Sequence, residues 1–170
     1  MKPPSHLIEF LHDLHPHEVP CSYGGLKLFE AGKLEEGQLG YSVGPKGETL
    51  CGAEEGAWRT SWIVIAHDTG LGDPIFIDTA KAELPVFTAI YGEGEWDPKP
   101  AAISLDAFAQ CWHEFARIAQ GRGNPVEEES NPLPEAARSA YLDHIREISG
   151  SQFAAEFWVD LLAYGEDGDG

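Results

Sequence analysis

Three short apolar runs, separated by turns too tight to hold a helix, limit what this chain can become. Trp62-Ile63-Val64-Ile65-Ala66 is apolar at every position. A strand of that kind belongs in the middle of a sheet, where both of its faces are covered. Pro74 and Pro85 each open another run, Ile75–Ile77 and Val86–Tyr91. Proline has no N–H to give to a ladder and is tolerated at the first position of a strand. The intervening segments are rich in glycine and aspartate and far shorter than a crossover helix. An antiparallel meander is therefore the simplest arrangement of these runs.

Helical periodicity takes over after the strands. Ser104 is a good N-cap, Asp106 places negative charge in the first turn, and Leu105, Phe108, Trp112, Phe115 and Ala119 fall on one face. On this reading His113, Glu114 and Arg117 face water, and Gly121 and Gly123 end the helix. A second helix begins near Pro134 with Ala137, Tyr141, Ile145 and Ile148 on its apolar face, and Gly150 stops it. Ser151 caps a third, with Phe153, Phe157, Trp158, Leu161 and Leu162 to one side. Leu7, Ile8, Leu11 and Leu14 predict an N-terminal helix over residues 4–14, stopped by Pro16. Leu26–Phe29 reads as a short strand, and Leu39–Val43 as another that turns at Gly44–Gly47 and returns through Thr49–Cys51. The expected fold class is α+β, a twisted and mainly antiparallel sheet with helices packed on it. Its organisation is a core over 1–123, an acidic linker over 124–131, a C-terminal helical extension over 132–164 packed on the core, and a disordered acidic tail over 165–170.

Charge narrows the partners. The chain has 170 residues, 29 acidic and 11 basic, and a formal net charge of -18. Such a field repels nucleic acid and anionic membrane, and it speeds encounter with basic proteins. Cys21, Cys51 and Cys111 are odd in number, widely spaced and without a C-x-x-C pair. That argues against a disulfide framework and a zinc site and for a reducing cytoplasm. Met1-Lys2-Pro3-Pro4 lacks the long apolar run of a signal peptide, and no stretch reaches membrane-spanning length.

Chemistry-bearing residues are few. Asp68, Asp73 and Asp78 sit at strand ends and in a glycine turn, and a β-hairpin would bring Asp68 and Asp73 together with Asp78 near the far end. A metal-dependent hydrolase using these three, with His67 beside them, is one reading. The other is that the aspartates build the turns by accepting backbone N–H bonds. Asp68–Asp73 lacks the alternating ligands of a calcium loop. No G-x-S-x-G elbow is present, and no cysteine stands in a catalytic context. Gly92-Glu93-Gly94-Glu95 has the wrong charge to cradle a phosphate. His6, His12, His15 and His17 crowd the N-terminus; His12 and His15 could share a helical face, while Pro16 removes His17 from it. These counts favour a binder with no cofactor and no metal. Trp58 and Trp62 would share a face in a strand. Trp96, among Glu93, Glu95 and Asp97, suits either an anchor for a cationic partner or a cover for the sheet edge.

Taken in order, Trp62–Asp68, Gly72-Asp73-Pro74-Ile75-Phe76-Ile77-Asp78, Pro85-Val86-Phe87, Tyr91–Trp96 and Ser104–Phe108 resemble the SUKH superfamily, which includes yeast cell-wall-synthesis regulators and bacterial immunity proteins. Tyr23-Gly24-Gly25 before Leu26–Phe29 is a weaker echo, and the resemblance covers about Gly24 to Trp112. The short, histidine-rich N-terminal region and the helices beyond Asn131 depart from the family pattern. The resemblance implies an α+β domain and a non-enzymatic role: binding and neutralising a toxin, often a nuclease or other nucleic-acid-modifying enzyme; the acidic charge adds that the partner is basic. Asp68, Asp73, Glu93, Glu95, Trp96 and Asp97 are then the candidate partner-binding residues. A dimeric scaffold or regulator, self-associating through the C-terminal helices, is a further reading.

Overall fold

The computed structural model describes residues 2–163. Among these, strands β1 (Glu18–Cys21), β2 (Gly24–Leu28), β3 (Trp62–Asp68), β4 (Pro74–Asp78), β5 (Val86–Gly92) and β6 (Glu95–Ala102) form one sheet in sequence order, with every neighbouring pair antiparallel. The meander over the three apolar runs is therefore present. β3 and β4 are central, and Pro74 opens β4 as expected. Helices α1 (Ser5–Asp13), α2 (Leu105–Ala119), α3 (Pro125–Ser130), α4 (Glu135–Ser149) and α5 (Gln152–Ala163) complete an α+β architecture. Among the described residues no helix is long and apolar enough to cross a membrane.

Alternation along the strands assigns the two faces. Ile63 and Ile65 of β3, Ile75 and Ile77 of β4, Val86 of β5 and Ala101 of β6 point to the helices. There they meet Phe108, Trp112, Phe115, Tyr141, Ile145 and Trp158 in one continuous core. Residues of α4 and α5 thus belong to the same core as the sheet. The indole N–H groups fasten this side: Trp112 donates to the Pro16 carbonyl and Trp158 to the Ala101 carbonyl, each at 2.8 Å. The Tyr141 hydroxyl donates to the Trp158 carbonyl at 3.0 Å. Both expected serine caps form, Ser104 Oγ accepting from Ala107 N–H and Ser151 Oγ from Ala154 N–H.

The opposite face carries a smaller, aromatic cluster. Trp58, Val64, Phe76 and Ala89 are buried there, with Tyr41, Trp62, Phe87 and Trp96 packed around them. Its cover is the irregular segment 29–61, which runs from the end of β2 across the sheet. Gln38 is the pin. Its side-chain carbonyl accepts from Val64 N–H at 2.9 Å, and its amide donates to Val64 C=O and Leu34 C=O, both at 2.8 Å. β2 ends opposite Ala66, so the Gln38 amide stands in for the strand partner that Val64 lacks.

Several expectations change. Leu39–Val43 is not a strand: Leu39, Val43, Thr49, Cys51 and Trp58 make only isolated bridges, and 3-10 turns occupy Ala31–Lys33 and Glu36–Gln38. The acidic segment 124–131 contains α3, started by Asn124, whose side-chain carbonyl accepts from Glu127 N–H. Phe153 does not lie on the buried face of α5. Ala154 and Ala155 take that place, and Phe153 is 70% exposed. Glu114 turns toward α4 and is paired with Arg117 and His144. His15 and His17 stack at 4.7 Å on either side of Pro16, while His12 bonds Asp13. The expected acidic tail lies outside the described residues.

Candidate functional site

Strand direction decides where the candidate residues meet. The turns at Ser22-Tyr23, at Thr69–Asp73 and at Glu93-Gly94 all emerge at one end of the sheet, because β1–β2, β3–β4 and β5–β6 are hairpins of a single meander. Thr69 N–H donates to Gly25 C=O at 3.0 Å and joins the first two turns. In the third, Glu93 (φ 54°) and Gly94 (φ 82°) are the two left-handed residues of a two-residue hairpin turn.

Asp68, Asp73, Glu93, Glu95, Trp96 and Asp97 fall into two adjoining hollows at this end. Asp68 and Asp73 line a cleft of about 490 Å³ between the sheet and α5. The four hairpin residues line a hollow of about 660 Å³ around the β6 edge, together with Glu55 and Arg59. Ile90 borders both. Trp96 folds back: its ring lies 5.6 Å from Tyr41, 5.2 Å from Trp58 and 4.9 Å from Tyr91, and one side stays in the hollow. Trp58 is not in a strand, yet it meets Trp62 edge-on at 5.1 Å, so the two do share a face.

The carboxylates build turns. Asp68 is 6% exposed and its Oδ1 accepts from Gly70 N–H at 2.6 Å and Leu71 N–H at 3.2 Å. Asp78 Oδ1 accepts from Ala80 N–H at 3.0 Å. Asp78 pairs with Trp62 at the opposite end of β3 and β4, so the trio Asp68, Asp73 and Asp78 does not assemble. Among the described residues no group of three or more His, Cys, Asp or Glu side chains is arranged to hold a metal ion. Burial lowers the pKa of His67, and nearby Lys27 lowers it further. Burial pushes the thiols of Cys21 and Cys111 up to about 11 and about 12, which suppresses their nucleophilic thiolates.

Four residues that the sequence reading did not assign to a site join the first cleft. Phe153, Glu156, Phe157 and Asp160 project from α5 beside Asp68 and Asp73. Their spacing is the signal that could have found them: positions i, i+3, i+4 and i+7 form one stripe, with like charges Glu156 and Asp160 one turn apart. Burial and the Asp68 charge raise the pKa of Asp73; burial and the Glu156 charge raise that of Asp160. In both, burial is the larger cause and the neighbouring like charge the smaller one.

The β6 edge offers little backbone. The register from the two-residue turn sends the N–H groups of residues 96, 98 and 100 away from β5. Trp96 N–H is already donated to Gly56 C=O at 2.8 Å, and positions 98 and 100 are prolines. A partner strand finds no free donor along that row.

No family model, no curated protein and no solved structure matches this chain.

Proposed function

We propose that this chain is a non-enzymatic protein-binding module whose partner is a basic protein, and that it acts as an immunity protein against a toxin of that charge, such as a nuclease. The observation that carries the reading is the convergence of the Asp68–Asp73 turn and the Glu93–Asp97 hairpin on one end of the sheet. A net charge of -18 gives that end a long-range reach toward cations. The resemblance to SUKH proteins points the same way, since their bacterial members bind and neutralise toxins. Nuclease surfaces are basic because they meet phosphates, and an acidic platform complements them.

Binding kinetics against a panel of basic nuclease domains provide the test. Converting Glu93, Glu95 and Asp97 together to lysine should slow association by about tenfold at low salt and flatten its salt dependence. An unchanged association rate would remove the hairpin from the interface. Micromolar magnesium, calcium, manganese or zinc binding lost in Asp73→Asn would favour a metal enzyme instead.

A further inference from the structure

We infer that the cleft between α5 and the sheet wall formed by the β3–β4 turn, β5 and β6 is a docking groove for a partner segment that presents a lysine or arginine next to an apolar side chain. This rests on the binding role proposed above and assigns it a place. The groove's apolar surfaces come from both of its walls. Leu71 (67% exposed), Ile90 (55%) and Phe153 (70%) stand open to water around it, while Phe157 and Leu161 are more deeply set. Phe153 and Leu71 lie on different elements yet border one hollow, so their exposure forms a patch and is not scattered. About 490 Å³ is ample for one or two side chains.

Charge complementarity selects the occupant. Asp73, Glu156 and Asp160 border the groove, with the buried, turn-bonded Asp68 behind them, and among the described residues Lys99 is its single basic residue. Lys99 is already paired with Asp97 at 3.2 Å. An acidic or neutral apolar segment would therefore bring nothing to offset these carboxylates. A lysine or arginine can lay its aliphatic stem along the apolar walls and hold its head among the acids. Strand addition is not available on the adjacent β6 edge, so recognition here falls to side chains.

The experiment uses the full chain and two synthetic amphipathic peptides, one of leucine and lysine and the other with glutamate in place of lysine. Calorimetry should detect the lysine peptide and not the glutamate peptide. Asp73→Asn combined with Asp160→Asn should weaken that binding by about tenfold, and Phe153→Ser, at an exposed position, by a similar factor. Glu9→Gln combined with Glu147→Gln makes the same change in net charge at exposed sites on α1 and α4. That pair should leave affinity within about twofold at moderate salt. Equal weakening by both pairs, with no effect of Phe153→Ser, overturns the groove while leaving a general affinity for cations intact. Absence of binding to the lysine peptide and to every basic protein tested overturns the groove and the binding role together. Self-association that Phe153→Ser abolishes would give the groove to a second copy of the chain and overturn the assignment to a cationic partner.

Discussion

The two faces of the sheet are covered by different means. On one side, helices bury Phe108, Trp112, Tyr141 and Trp158, and the polar atoms of the large rings find backbone partners. On the other, the irregular segment 29–61 lays Trp58 against Trp62, Phe76 and Trp96, and the indole N–H of Trp58 has no hydrogen-bond partner among the described residues. The helical side is held by packing and directed bonds. The loop side is held by aromatic packing, the Gln38 bonds and a few backbone bonds along its path, such as Trp96 N–H to Gly56 C=O and Phe29 N–H to Ile65 C=O. The lesson is that the second cover should be able to open while the first stays closed.

Truncating each side at its centre gives the largest contrast. Trp158→Ala should cost about 3–5 kcal/mol, and the further loss of its bond to Ala101 should bring down the whole domain, seen as one lowered, cooperative denaturation midpoint. Trp58→Ala should cost about 3 kcal/mol, with hydrogen exchange accelerating over 29–61 well before α2 and α4. Uniform acceleration in both variants would erase the distinction.

Gln38→Ala sharpens the same contrast at a single bond pair. It leaves Val64 N–H and C=O without partners in a buried strand and should cost about 1–3 kcal/mol, read by urea denaturation. Its exchange signature should match that of Trp58→Ala rather than that of Trp158→Ala.

The smallest effect concerns the acidic end. Asp73 and Asp160 have raised pKa values, so the folded state holds their protons more tightly than the unfolded state does. Their favourable contribution is complete below the ordinary carboxylate value of about 4 and disappears as pH rises through the raised values. Asp73→Asn should therefore match the parent at low pH and be slightly more stable at neutral pH, with a flatter pH–stability profile between. A variant less stable at neutral pH would contradict this electrostatic account.

Periodicity made the helical side legible. The stripes of α2 and α4, the caps at Ser104 and Ser151, and the apolar runs of β3, β4 and β5 were visible because each repeats a local physical requirement over several residues. β6 was not visible, because Pro98 and Pro100 argue against a strand unless the proline positions face outward on an edge. β1 hid for a related reason, being four residues long with Pro20 inside it. Residues 39–43 alternate like a strand, but tertiary packing of Tyr41 on Trp58 and the Gln38 bonds override that pattern. Of the candidate site, the turn acids and the residues Glu93, Glu95, Trp96 and Asp97 were legible from charge and glycine, though not the hairpin that carries the latter. The α5 wall was not, because Phe153 sits in an apolar helix where a large ring reads as core. Only its spacing from Glu156 and Asp160 separates it from Trp158.

Pro98 and Pro100 also have a consequence for how such a surface can change over time. A complex built on strand pairing would tie both molecules to one register, and any shift would disturb every contact at once. With that mode closed on the β6 edge, a partner bound at this end of the sheet, as proposed above, would have to be held by individual side chains on turns and on one helical stripe. On that proposal, substitutions at Asp73, Glu93 or Asp160 would retune partner choice one residue at a time, while the scaffold beneath keeps its hydrogen bonds.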